Sequence, residues 1–341
     1  MSNTALSAPL SGIIPPLVTP LKDRDALDEA GLDRVIEHCL GGGVAGLFLL
    51  GTTGEGPSLG YRVRRELIER ACKQVRHRVP VLVGITDTAF VESVNVARQA
   101  ADAGADALVL APPYYMPEGQ PELREYLEHL LPELPLPLFL YNMPPLTKVP
   151  YEVETVRWAI DQPGIVGIKD SSGSMGYFNR IREAAAKRPD WTLLTGPEEL
   201  LAEAVLLGGH GGVCGGANIF PRLYVELHAA AQRADLARVR RLHSLVMRVS
   251  EELYHVGHHP SSVIRGIKCA LACIGVCDDF MAEPFRRFRA PERKRVEQAM
   301  ERLRAELSAA EVGGTEMHQL AQLGVHPLGC PNSVSQQGKT P

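Results

Sequence analysis

Val81-Leu82-Val83-Gly84-Ile85 and, one step later, Ala107-Leu108-Val109-Leu110 are short runs that are apolar at almost every position. A strand with one wet face alternates apolar and polar residues, whereas a strand covered on both faces does not. These runs therefore predict a parallel sheet with helices packed outside it. Working outward, similar runs begin near Ile13, Gly46, Leu136, Ile165, Trp191 and Gly211. That makes eight runs, spaced by about 28 residues, which is room for a strand, a loop, a helix and a second loop. The stretches between them have helical periodicity. In Arg62–Ala71, Val63, Leu67 and Ala71 recur every fourth residue with charges between them. Asp28 before Glu29-Ala30-Gly31-Leu32 is placed as a helix N-cap.

Eight βα units of near-constant length predict the α/β class and a (β/α)8 TIM barrel over residues 12–233. A doubly wound open sheet is the alternative. Past about residue 235 the strand signal stops, and helices are expected near 235–255, 261–275 and 284–309. These form additional C-terminal helices, an extension over 234–310. From 311 to 341 the chain turns to Gly, Gln, Ser and Pro without periodicity, which reads as a disordered tail.

Composition narrows the function. Of 341 residues, 45% are hydrophobic and 22% charged, enough for a large core. The net charge of −4 gives no reason to expect nucleic acid or an anionic membrane as partner. Arg286–Arg304 holds eight basic residues against three acidic ones, and reads as a solvated helix face. The longest apolar runs, such as Val44–Leu50, are far shorter than the about 20 residues that span a bilayer. Met1–Leu10 lacks the basic start and apolar core of a signal peptide. Seven cysteines, an odd number without a disulfide pattern, point to a reduced, cytoplasmic chain. Cys269, Cys273 and Cys277 recur every four residues and read as small apolar core residues on one helix face. The sharper alternative is a metal or redox site completed by His255, His258 and His259.

In a β/α barrel, chemistry gathers at the C-terminal ends of the strands. The polar residues that close the runs are therefore the candidates. Lys169, in Gly167-Ile168-Lys169-Asp170, is in phase with a buried strand. Burial disfavours its charged form, and a neutral amine at a barrel mouth attacks carbonyls to form a Schiff base. A lysine paired with Asp170 is the plainer reading. Thr52-Thr53-Gly54 offers backbone N–H groups and two hydroxyls in a tight turn, suited to a carboxylate or a phosphate. Tyr141 ends the strand before the lysine strand, so its hydroxyl is expected near a group bound to Lys169, where a phenol can relay a proton.

Gly51-Thr52-Thr53-Gly54-Glu55, Tyr141-Asn142-Met143-Pro144 and Gly167-Ile168-Lys169-Asp170, in that order, resemble the dihydrodipicolinate synthase / N-acetylneuraminate lyase family. The resemblance covers about residues 12 to 305. It implies a class I pyruvate lyase, aldolase or dehydratase on a (β/α)8 barrel, a homotetramer, with no metal and no organic cofactor. It implies that Lys169 forms an imine with pyruvate or another 2-oxo acid. Thr52 and Thr53 would hold the carboxylate, and Tyr141 would shuttle protons. Thr52 would link Tyr141 to a second tyrosine, matched here by Tyr115, which the family often supplies from a neighbouring subunit. Val213 would line the far side of the imine.

The resemblance leaves the second substrate open between an aldehyde and a sugar acid. Members that make dihydrodipicolinate usually carry an arginine where this chain has Leu146. Sialic acid lyases often have leucine there, yet more often read Gly-Ser-Thr-Gly-Glu at the first motif. The leucine favours a 2-keto-3-deoxy acid over aspartate semialdehyde, with Ser171, Ser172 and Asn218 as hydroxyl partners and Lys148 as another cation in reach. Three alternatives stand beside this one. They are a 4-hydroxy-tetrahydrodipicolinate synthase condensing pyruvate with aspartate semialdehyde, a non-catalytic barrel that binds 2-oxo acids, and a phosphate- or nucleotide-binding protein built on Thr52-Thr53-Gly54.

Overall fold

The computed structural model describes residues 9–312. The segment 313–341, which holds almost all of the expected tail and Cys330, lies outside the described residues. Eight parallel strands follow the eight runs: β1 (Gly12–Ile13), β2 (Leu47–Leu49), β3 (Val81–Gly84), β4 (Ala107–Leu110), β5 (Leu138–Asn142), β6 (Ile165–Asp170), β7 (Thr192–Thr195) and β8 (Gly211–Gly212). From β2 to β8 each strand pairs with the next in sequence, and β8 pairs with β1. The chain after β1 closes the ring onto β2 through a parallel bridge between Pro16 and Phe48. There Phe48 N–H donates to Pro15 O at 3.0 Å and Leu17 N–H to Phe48 O at 2.8 Å. The sheet is a closed (β/α)8 barrel, not an open doubly wound sheet.

Closure explains the unbroken apolar runs. One set of strand residues, including Ile14, Phe48, Leu82, Val109, Phe139 and Leu194, fills the barrel interior. The intervening set, including Leu47, Leu49, Val81 and Val83, packs outward against the helices. Neither face meets water, so polar residues are few and gather toward the strand ends, as at Asn142, Lys169 and Asp170. The helix Tyr61–Val75 buries Val63, Leu67 and Ala71 as its periodicity predicts. The helix Glu29–Gly41 starts at Asp28, whose side chain accepts from Gly31 N–H at 3.0 Å. A small antiparallel hairpin, Leu21–Asp23 with Ala26–Leu27, precedes that helix and was not anticipated from sequence.

The extension is helical as expected: Leu236–Val249 continuing into a π-turn at Ser250–Tyr254, then Ser262–Cys273 and Ala290–Ala309. Its Leu242, Cys269 and Leu303 belong to the same hydrophobic cluster as the outer face of the barrel. Cys269 and Cys277 are buried and Cys273 is half-buried, while His255, His258 and His259 are exposed. Among the described residues no group of His, Cys, Asp or Glu is placed to hold a metal ion, and no helix is long and apolar enough to cross a membrane. The basic stretch Arg286–Arg304 pairs with neighbouring acids. Arg287 meets Asp278 at 2.9 Å, Arg293 meets Asp279 at 2.8 Å, and Arg302 meets Glu252 at 2.7 Å.

Candidate active site

Register places the two central residues. Tyr141 of β5 lies directly across from Lys169 of β6. Lys169 is only 5% exposed. Its ammonium sits 4.0 Å from the centre of the Tyr141 ring and 5.2 Å from that of Phe48. Phe48 and Tyr141 meet edge to face at 6.4 Å. The lysine head is thus bracketed by two rings whose electron-rich faces tolerate a cation. Asp170 does not pair with it. That carboxylate accepts from Asn142 Nδ2 at 2.8 Å and from Ser172 N–H and Oγ at 3.0 Å, and burial pushes its carboxyl up.

Room for the lysine comes from Gly196, just past β7. A Cβ there would lie 1.8 Å from Ser171 Oγ and 3.2 Å from Lys169 Cε. Sequence reasoning missed this glycine, since Thr195-Gly196-Pro197 reads as an ordinary turn. Ser171 is held by its N–H to Asn142 O at 2.8 Å, which leaves its hydroxyl to interact with Tyr141.

The Thr52 turn packs onto the same ring. Glu55 N–H closes on Thr52 O at 3.0 Å and Gly56 N–H on Gly51 O at 3.3 Å. The turn sits so close to the chain after β1 that a Cβ on Gly54 would lie 2.7 Å from Leu17 O. This brings Thr52 Oγ1 to 3.3 Å from the Tyr141 hydroxyl. Burial alone would raise the Tyr141 phenol. The nearby Lys169 charge, helped by hydrogen bonds from Thr52, Lys169 and Ser171, outweighs it and holds the phenol below its ordinary range. Thr53 is half-buried and lies across from Gly215, whose Cβ would be 3.8 Å from Thr53 Oγ1. Val213 is buried in the same interior cluster as Tyr141, past β8. The structure therefore brings together Lys169, Tyr141 and Thr52, with Val213 in the same interior cluster and Thr53 facing Gly215.

Of the remaining candidates, Leu146 lines a cavity shared with Tyr141 and Thr52, and Tyr115 does not. Tyr115 is 79% exposed, on the segment after β4, and Leu146 is 49% exposed. A cavity of about 170 Å³ opens beside Tyr141 and Thr52, and Tyr114 rather than Tyr115 lines it, with Leu146 and Arg64. Arg64 was missed because it reads as one charge among many on a surface helix. Its guanidinium pairs with Asp87 at 3.0 Å. Lys148 turns back onto Pro145 O at 2.8 Å.

Two hydroxyl or amide partners expected for substrate are otherwise engaged. Ser172 is bonded to Asp170, as above. Asn218 is fully buried, donating to Pro16 O at 3.0 Å and Gly215 O at 2.9 Å and accepting from Val18 N–H at 3.1 Å. It ties β8 to the chain after β1 and offers a substrate nothing.

Behind the glycine-rich end of β8 lies a second buried acid. Glu198 accepts from Gly216 N–H at 2.8 Å, from the Tyr254 hydroxyl at 2.7 Å and from the Tyr224 hydroxyl. Burial dominates and pushes its carboxyl up to about 7. Pro197-Glu198-Glu199 looks like the acidic start of a helix, which is why sequence gave no warning of this cluster.

The model of the dihydrodipicolinate synthetase family matches residues 9–303. Over 276 residues the chain is 32% identical to the 4-hydroxy-tetrahydrodipicolinate synthase of Bartonella quintana, covering 81% of this chain and 92% of the relative. It is 33% identical over 268 residues to the Escherichia coli protein named "Probable 2-dehydro-3-deoxy-D-pentonate aldolase YjhH", covering 78% and 88%. Among solved structures, the dihydrodipicolinate synthase of Bacteroides thetaiotaomicron superposes with a TM-score of 0.85 at 55% identity, covering 86% of this chain and 99% of that one. YagE of E. coli K12, solved in complex with pyruvate, gives 0.81 at 29% identity, covering 87% and 99%.

Proposed function

The chain belongs to the dihydrodipicolinate synthetase family, and from that premise we propose that it is a Schiff-base lyase in which Lys169 binds pyruvate or a 2-keto-3-deoxy acid as an imine. The observation that carries this reading is the Lys169–Tyr141–Thr52 arrangement, a buried amine beside a phenol that is itself hydrogen-bonded to a hydroxyl.

The amine attacks the 2-oxo carbon, and water leaves to give the imine. The protonated imine then accepts the electron pair of the breaking C–C or C–O bond, giving an enamine. Tyr141 supplies and removes the protons these steps need, and the Lys169 charge that lowers its phenol makes that exchange easier. Thr52 and Thr53 hold the substrate carboxylate, and Val213 packs on the far side of the imine. Tyr115 completes the relay from a neighbouring subunit of a homotetramer, which accounts for its exposure in the single chain. The enzyme works in the cytoplasm, without metal or organic cofactor.

Borohydride added with pyruvate is expected to label Lys169 covalently, and a Lys169→Ala variant should take up no label and lose at least about 10⁴-fold in activity. Equal labelling of that variant would sink the assignment. Activity should survive EDTA.

The second substrate is a hydroxylated 2-keto-3-deoxy acid, because Leu146 offers no donor to an aldehyde's carboxylate. A second reading, condensation of pyruvate with aspartate semialdehyde, is favoured by the 55% identity to the Bacteroides synthase. The ratio of kcat/KM for the two reactions separates them.

A further inference from the structure

Glu55 closes the Gly51–Glu55 motif with a left-handed backbone, φ 57°. Its N–H donates to Thr52 O at 3.0 Å and its carbonyl accepts from Ser58 N–H at 2.8 Å, so its main chain is part of the turn that carries Thr52. Its side chain meets the extension. One carboxylate oxygen lies 2.5 Å from Lys268 Nζ, with both side chains 0% exposed. The other accepts Ala282 N–H at 2.8 Å. Lys268 stands on the helix Ser262–Cys273 and also donates to Phe280 O at 2.7 Å.

Ion pairs such as Arg78–Glu37 lie on the outer helices, where water solvates both partners. The Lys268–Glu55 pair is different in kind. Two charges taken fully out of water recover their lost hydration only through close geometry and further hydrogen bonds. Apolar residues of similar volume often stabilise a fold as well or better, so such a pair is a poor device for stability alone. It is a good device for direction, because the Lys268 charge draws one carboxylate oxygen toward it while Ala282 N–H fixes the other. The turn it meets has little stiffness of its own, with glycine at positions 51, 54 and 56.

We propose that Lys268 is a positioning residue for the reaction: through Glu55 it sets the Thr52–Thr53 turn from the helical extension and keeps Thr52 within reach of Tyr141. This rests on the lyase reading above. A displacement of about 1 Å in such a group can cost on the order of 10²-fold in rate.

The test uses the full chain and pyruvate alone. In D2O, imine formation followed by loss of a methyl proton gives the enamine, which takes up deuterium from solvent. The exchange is read by NMR and needs no second substrate. Lys268→Met combined with Glu55→Leu replaces the pair by apolar groups. The variant is expected to fold with a melting temperature near wild type and to trap pyruvate on Lys169 with borohydride. Its exchange rate per trappable Lys169 should fall about 10- to 100-fold. A merely structural role would lower the trappable fraction and leave the rate per trapped site unchanged, and that result overturns the proposal. Should the double variant not fold, Lys268→Gln combined with Glu55→Gln, which keeps polar groups of similar shape and removes both charges, is read in the same way with the same two outcomes. Absence of labelling in the wild type overturns the lyase reading, and this proposal with it. Labelling with an unchanged rate per site overturns this proposal alone.

Discussion

The two sides of the barrel mouth are built differently. On one side, adjacent strands hold Lys169 and Tyr141 in register, Gly196 clears the space, and hydrogen bonds lock Asp170 and Ser171. On the other, Tyr115 and Leu146 stand on the segments after β4 and β5, largely open to water. The difference separates two tasks. Under the proposed lyase reading, a proton relay needs groups held to within about 0.5 Å, which strands supply. Under the same reading, the residues that would choose the second substrate stand on loops, which change without disturbing the strands.

The comparison breaks first at Tyr141. Tyr141→Phe should keep the fold and lower kcat by roughly 10²-fold or more, because it removes the phenol that moves protons. Wild-type turnover in that variant would leave Tyr141 as packing for Phe48 and Lys169 only. The loop side should respond in specificity instead. Leu146→Arg is expected to raise kcat/KM for condensation with aspartate semialdehyde by about 10- to 100-fold, the worth of roughly 1–3 kcal/mol for a paired carboxylate. It should leave borohydride labelling of Lys169 unchanged. If the wild type already condenses the two efficiently, and still does so as Lys148→Ala, the leucine argument is wrong.

The effect with no change in catalysis belongs to Glu198, which sits behind the strands and touches neither side of the mouth directly. Its carboxyl, raised to about 7 by burial, keeps a proton in the folded chain that the unfolded chain releases near its ordinary 4.5. The folded state therefore binds more protons in this window, and stability should fall as pH rises from about 4.5 to about 7, then level off. Glu198→Gln lacks that slope. Its melting temperature should match the wild type near pH 4 and exceed it near pH 8, by at most about 3 kcal/mol in stability. A melting curve with the same pH dependence in both would show that the acid stays ionised between its tyrosines.

Much of this was legible in the sequence where burial on two faces left its mark. Runs such as Val81–Ile85 gave the strands, and the lysine inside Ile168-Lys169-Asp170 stood out against its surroundings. β1 and β8 are two residues long, and were found only because the repeat required strands there. What escaped notice lacked such contrast. Arg64 and Glu198 sit in stretches where charge is common, and only packing reveals that one lines a cavity and the other is buried. Gly196 matters through what a side chain would strike, which no single sequence displays. Lys268 is the instructive miss, since Gly266-Ile267-Lys268-Cys269-Ala270 carries the same signal as the lysine that was found. It does not stand out because it lies on a helix, where a lysine is expected to reach water.

Glu55 and Ala282 are 227 residues apart in the chain. At roughly 5–20 residues per second, a ribosome needs about ten to forty-five seconds to cover that interval. Through most of that time the first strands and their turn exist, while the carboxylate that ends the turn has neither of its final partners. The N-terminal motif is therefore the first of the site's parts to be made and among the last to be finished. A chain stopped before Lys268 leaves it open, and one stopped before Ala282 leaves it half closed, however well its barrel has closed.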